Sequence, residues 1–291
     1  MRRRSAKRAW LENRDLLLFL VFSVSLLLFF GCLLLIPRAE STPLLRGCAL
    51  LLSLCLPALF YLRSENGETF ALWGRKKQKI SPLRLLPFAL AALLLGVFVA
   101  ELFDLSLGKE LLFSRFAYEN AFSLAGLASA LTYAFASALL SFGFLENQLS
   151  SQGRAVSLVA PAIVFAALAA APKATPVLFL IGLMLALSQP LFGGLAPLLG
   201  SFAFTVGGYF ASVGLFTSAR LPFVTRPVFL LVAGLLSLIL LFVAFYRVPL
   251  RAALQSRVRT QKRPAVFWGS FSLLVLLLSL FYSLFLTKWI G

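Results

Sequence analysis

The sequence predicts an all-α protein: a polytopic integral membrane helical bundle of about nine transmembrane helices. Three observations carry that prediction. Hydrophobic residues make up 60% of the chain and charged residues 13%, whereas an ordinary soluble domain holds about 45–50% and about 25%. The apolar residues come in runs of about 20, the length at which a helix crosses a hydrocarbon layer about 30 Å thick. No stretch between the runs is long enough to fold as a soluble domain. A disordered chain, a collagen, a coiled coil and a water-soluble globule are all excluded.

The expected spans lie at 15–36, 44–62, 85–103, 121–144, 155–171, 175–192, 195–217, 227–246 and 265–287. The first follows the basic start MRRRSAKR. Its apolar stretch exceeds a signal-peptide core and no small-residue cleavage site follows, so a retained anchor is expected. Between the third and fourth spans, ELFDLSLGKELLFSRFAYEN (101–120) alternates charged and apolar residues and reads as an interfacial helix. The spans group into an N-terminal membrane region (1–120), a four-span core (121–217) and a C-terminal two-span region (218–291).

Charge sets the expected direction. With the N-terminus inside, the inner segments collect 19 of the 27 Lys and Arg residues and the outer segments 8, as the positive-inside rule requires. The expected location is therefore the cell membrane, multi-pass, with a cytoplasmic N-terminus, and the bacterial inner membrane in particular. The net charge of +17 follows from loop topology, and nucleic acid is not an expected partner. Two juxtamembrane loops hold much of it: GRKKQKISPLR (74–84), with Arg75, Lys76, Lys77 and Lys79, and RVPLRAALQSRVRTQKR (247–263), with Arg257, Arg259, Lys262 and Arg263. Anionic lipid headgroups attract such residues by about 1 kcal/mol each, and a cytoplasmic contact would use the same surface.

Helices in lipid associate through small residues that let backbones approach. Ala130, Ala134 and Ala138 recur four apart on the fourth span, and Ala203, Gly207 and Ala211 on the seventh. These stripes predict a compact bundle of spans four to seven. The Leu- and Phe-rich first three and last two spans read as peripheral. SQPLFGGLAP (188–197) is either a tight turn between spans six and seven or a broken helix lining a cavity.

Reactive groups are sparse. The chain contains no histidine, which removes His-based acid–base chemistry, Ser-His triads and imidazole-ligated metals. Cys32, Cys48 and Cys55 sit in apolar runs; Cys48 and Cys55 are about 10 Å apart by helical rise, too far for a bridge. Glu146 and Lys173 fall at span ends, with nothing charged expected at depth. No cofactor, catalytic residue or metal site is expected.

The stretch ASALLSFGFLENQLSSQGRAVSLVAPAIVFAALA (136–169) resembles the core of the CAAX-protease and bacteriocin-processing (CPBP, or abortive-infection) membrane family. That family carries Glu-Glu-x-x-x-Arg-Gly, then Phe-x-x-x-His, then His-x-x-x-Asn. SALLSFGFL (137–145) overlays the first motif, with Gly143 in register, FAALA (165–169) overlays the second and keeps Phe165, and PLLGSFAFT (197–205) overlays the third. The reactive positions are replaced: the glutamates by Ser137 and Ala138, the arginine by Phe142, the histidines by Ala169 and Ser201, and the asparagine by Thr205. The resemblance implies a pseudoprotease. A segment at 191–216 also resembles a late span of major-facilitator transporters, although nine spans are not twelve and no charged pathway lines it.

The expected function is thus a non-catalytic multi-pass membrane subunit, a pseudoprotease-like scaffold or regulator of a larger complex, with other integral membrane proteins and lipids as partners. The alternative is a transporter or permease component with a substrate path near 188–212. An enzyme using Ser137, Ser141 or Ser201 is disfavoured, because packing serines far outnumber nucleophilic ones in membranes.

Overall fold

A computed structural model describes residues 27, 51–53, 82–107, 122–146, 154–169, 174–214 and 226–246. Every element among them is helical. We label these α1 (Pro82–Leu107), α2 (Leu124–Ala138), a π-helical turn (Leu139–Leu145) that continues α2, α3 (Arg154–Leu168), α4 (Thr175–Phe192), α5 (Ala196–Ser212) and α6 (Arg226–Phe245). Four stretches are long and apolar enough to cross a membrane: Arg84–Leu102, Leu124–Leu145, Thr175–Phe192 and Pro227–Phe245. The spans expected at 15–36, 44–62 and 265–287 lie largely or wholly outside the described residues.

Contacts between helices fix their directions. Phe88 meets Gly200 while Gly96 meets Phe204 and Gly208, so α1 and α5 run parallel. Phe88 packs on Phe245 and Phe98 meets Gly234, so α6 runs against α1. Tyr209 bonds Ser123 and Ser201 bonds Ala134, so α2 runs against α5. The helices alternate up and down. One end of the bundle gathers the start of α1, the π turn, the α4–α5 connection and the end of α6; the basic loops 74–84 and 247–263 adjoin this end in sequence, and we call it the basic end.

The tightest approach is between α1 and α5. A Cβ on Gly96 would overlap the Phe204 carbonyl oxygen and lie 2.9 Å from the Gly208 nitrogen; one on Gly207 would overlap the Leu93 carbonyl oxygen. The third expected span is therefore central to the bundle rather than peripheral. Its Leu-rich sequence hides this, because a single glycine suffices where two backbones touch. The interfacial segment expected from residue 101 also needs correction. Residues 101–107 continue α1, with Glu101 buried at 3% exposure, and 108–120 lies outside the described residues.

At the basic end Phe88, Phe192 and Phe245 pack mutually with centroids 5.2–6.2 Å apart, joining α1, α4 and α6. The segment 188–197 adopts the turn: α4 ends at Phe192, Gly193 takes φ 110°, and α5 starts at Ala196 with Pro197 in its first turn. At the opposite end Ser123 caps α2, accepting from the Gly126 N–H at 2.9 Å, and the Tyr209 hydroxyl accepts from the Ser123 N–H and donates to its carbonyl.

α6 is one-sided. Leu230, Ala233, Ser237 and Ala244 face inward at helical spacing, whereas Leu231, Leu235, Leu238, Ile239 and Phe242 are exposed. Only 22% of its span is buried inside the bundle, against 44–56% for the other three. An apolar outer face of this kind suits lipid.

Candidate functional site

The six positions singled out by the sequence resemblance, Ser137, Ala138, Phe142, Ala169, Ser201 and Thr205, all fall inside the bundle. Ala138, Phe142 and Ala169 belong to one hydrophobic cluster, in which Phe142 packs on Phe165 with centroids 5.4 Å apart. Ser137 and Ser201 come together from different helices: both hydroxyls donate to the Ala134 carbonyl, at 3.1 and 3.4 Å. Thr205 sits one turn beyond Ser201, also buried. A carbonyl that accepts two hydroxyls holds them as packing groups rather than exposing them. Of the helix-packing residues, Ala130, Ala134, Ala138, Gly207 and Ala211 are buried and Ala203 is partly buried against the same cluster. Arg75, Lys76, Lys77, Lys79, Arg257, Arg259, Lys262 and Arg263 lie outside the described residues.

Sequence reasoning missed the most polar feature of the bundle. Glu146, expected at a span end with nothing charged at depth, is 0% exposed, and Gln189 of α4 is 2% exposed beside it. Depth along a span and burial across a bundle are separate quantities. Glu146 ends the α2–π segment, but that segment packs on α3, α4 and α5, which enclose its last residue. The Gln189 amide, oriented with its nitrogen toward Glu146, donates to both carboxyl oxygens; the orientation is assigned from the hydrogen-bond network, as amide orientations are. A signal existed: Ser188 and Gln189 are polar residues in an apolar helix end, Gln189 four residues before Gly193, where the turn that sets α4 against α5 begins.

The π turn brings a second polar group. The backbone N–H of Glu146 donates to the Ser141 carbonyl, closing one π turn, so residues 141 and 146 lie on nearly the same face. The Ser141 hydroxyl is fully buried and has no hydrogen-bond partner among the described residues. By contrast, the Ser188 hydroxyl returns to the Leu185 carbonyl at 2.6 Å, and Tyr133 donates to the Leu168 carbonyl. Single π turns inside α-helices are frequent at functional sites. Among the described residues no three His, Cys, Asp or Glu side chains gather as a metal site would need.

No family model, curated protein or solved structure matches the chain.

Proposed function

We propose that the chain is a non-catalytic multi-pass membrane subunit, a pseudoprotease-like scaffold or regulator of a larger membrane complex. One observation carries the reading. The positions where the CPBP-type family bears its reactive groups are occupied here by packed side chains, Phe142 on Phe165 with Ala138 and Ala169 in the same cluster, and by two hydroxyls turned onto Ala134. A buried phenyl ring and two methyl groups cannot activate water.

In this proposal nine helices span a bacterial inner membrane with the N-terminus in the cytoplasm. Helix direction supports the orientation: Arg75, Lys76, Lys77 and Lys79 precede α1, and Arg257, Arg259, Lys262 and Arg263 follow α6, so both clusters adjoin the same end. Those basic loops contact anionic headgroups, and the exposed face of α6 is available to lipid or to other integral membrane proteins. Affinity purification of the tagged, full-length protein in mild detergent, followed by intact-complex mass spectrometry, tests the reading. Membrane proteins held at fixed stoichiometry are expected; recovery of the protein alone, or peptide hydrolysis by the purified chain, would sink it.

The buried Glu146–Gln189 contact favours a second reading, a transporter or permease component whose path passes near 188–212. Cysteine-accessibility labelling along that segment separates the two. Uniform inertness removes the transporter, and a periodic stripe of labelling supports it.

A further inference from the structure

α6 is the least covered of the four long apolar helices. Its small residues are spent on the inner side, where Ala233 and Ala244 are buried and Gly234 faces Phe98. Outward it presents large apolar side chains, among them a stripe at Val228, Val232, Leu235, Ile239 and Phe242, each 52–67% exposed. The steps along that stripe are 4, 3, 4 and 3 residues, the repeat that keeps one seam of a helix toward a partner helix.

The next apolar run of the chain carries the complement. Residues 265–287 hold Gly269, Ser272, Leu276, Ser279 and Ser283, with steps of 3, 4, 3 and 4. Read in reverse this is the α6 spacing, with small residues at every position but Leu276. Serine is small in such a setting once its hydroxyl turns onto its own helix, as Ser188 does to Leu185 and Ser237 to Gly234. Small residues let helix backbones draw close in lipid, and large side chains seat in the groove they leave.

We propose that 265–287 is the helix that covers this stripe of α6, as the second arm of an antiparallel hairpin turned by the basic loop 247–264. Two consecutive spans joined at one face of a membrane run in opposite directions, and consecutive elements are usually neighbours in space. Aligning the stripes in reverse sets Val228 opposite Ser283, Val232 opposite Ser279, Leu235 opposite Leu276, Ile239 opposite Ser272 and Phe242 opposite Gly269. The same alignment brings Arg247 level with Pro264, so both arms meet the loop at one height. Proline brackets that loop at Pro249 and Pro264, just past the end of one helix and at the start of the next, where its missing N–H costs nothing. Leu231 and Leu238, on the flank of the stripe, are left to lipid. The inference rests on 265–287 crossing the membrane, as the nine-helix reading holds, and is independent of the subunit role.

Paired cysteines in the full-length protein test it, with Cys32, Cys48 and Cys55 changed to Ala and a protease site placed in 247–264. In native membranes, with copper phenanthroline as oxidant, Val232→Cys with Ser279→Cys and Ile239→Cys with Ser272→Cys should each form a disulfide within one chain. The two fragments left by the protease then run as one band until reduced. That band should be lost for Val232→Cys with Ser272→Cys, one heptad or about 10 Å out of register, and for Val232→Cys with Leu277→Cys, on the opposite face of the second arm. Ser279→Phe, which fills the groove, should cut the cross-link between positions 239 and 272 several-fold. Disulfides between two chains would give the stripe to a second copy, and equal cross-linking of every pair, or of none, would leave the two helices unpaired; each of these overturns the proposal. Labelling of Gly291→Cys by a reagent that cannot cross the membrane shows whether 265–287 spans it. Spanning without cross-links defeats this inference alone, whereas a failure to span defeats the nine-helix reading with it. A protein purified alone that still forms both disulfides would defeat the subunit reading and leave this one standing.

Discussion

Adding one methyl group where α1 crosses α5 should loosen the bundle, although the same change in an exposed helix would tighten it. Gly→Ala in a helix interior gains about 1 kcal/mol from backbone entropy. At Gly96 the new Cβ would overlap the Phe204 carbonyl oxygen and stand 2.9 Å from the Gly208 nitrogen. Both obstacles are backbone, so no rotamer change relieves them and the helices must part. Overpacking of this kind costs about 1–3 kcal/mol, and parting the helices also loses contacts that lipid replaces only in part. We expect Gly96→Ala and Gly207→Ala each to be destabilised by about 1–2 kcal/mol net. Once the first methyl has separated the helices the second fits more easily, so the double variant should cost less than the two singles together, by about 0.5–1 kcal/mol. Gly234→Ala is the control. There the nearest atom is a ring carbon of Phe98 at 3.3 Å, a side chain that can give way, and the change should be near neutral or slightly stabilising. Reversible unfolding of the purified protein in mixed detergent micelles, followed by circular dichroism, reads all four. If Gly96→Ala matched or exceeded wild-type stability, the close α1–α5 approach would be wrong.

Three further outcomes follow from single contacts. Tyr209→Phe removes both bonds to the Ser123 backbone and should cost about 1–3 kcal/mol, with faster hydrogen exchange at the first turn of α2; unchanged exchange would mean the latch does not form. Ser141→Ala deletes a buried hydroxyl without a partner and should be neutral or stabilising by up to about 1 kcal/mol in the same unfolding assay; a clear loss would show that the hydroxyl is bonded. Gly193→Ala places a side chain at φ 110°, ψ 168°, a region open almost only to glycine, and should cost about 1–3 kcal/mol. A Gly193→Ala protein as stable as wild type would refute that backbone conformation.

The helical class, the apolar span lengths and the small-residue stripes on α2 and α5 were legible because they are periodic and local. Apolar runs of about 20 residues require helices in lipid, where every backbone N–H and C=O must be satisfied within the segment. The Gly-Pro punctuation of 188–197 narrowed that segment to a turn or a broken helix, and the positive φ at Gly193 shows the turn. The place of α1 was not legible. Gly96 is one small residue in LLLGVF, and only its juxtaposition with the Phe204–Gly208 backbone, more than a hundred residues later, makes it a crossing point.

The candidate site divides along the same line. From sequence alone the chain is a membrane bundle without histidine chemistry, because composition and residue identity do not depend on folding. Tertiary structure alone decided that Ser137 and Ser201 share one carbonyl, that a π turn encloses Ser141, and that Glu146 meets Gln189 inside the bundle. A carboxyl group is expensive in a membrane only if other helices and lipid surround it, and which helices surround it is set by their packing order, to which no local pattern in the sequence refers.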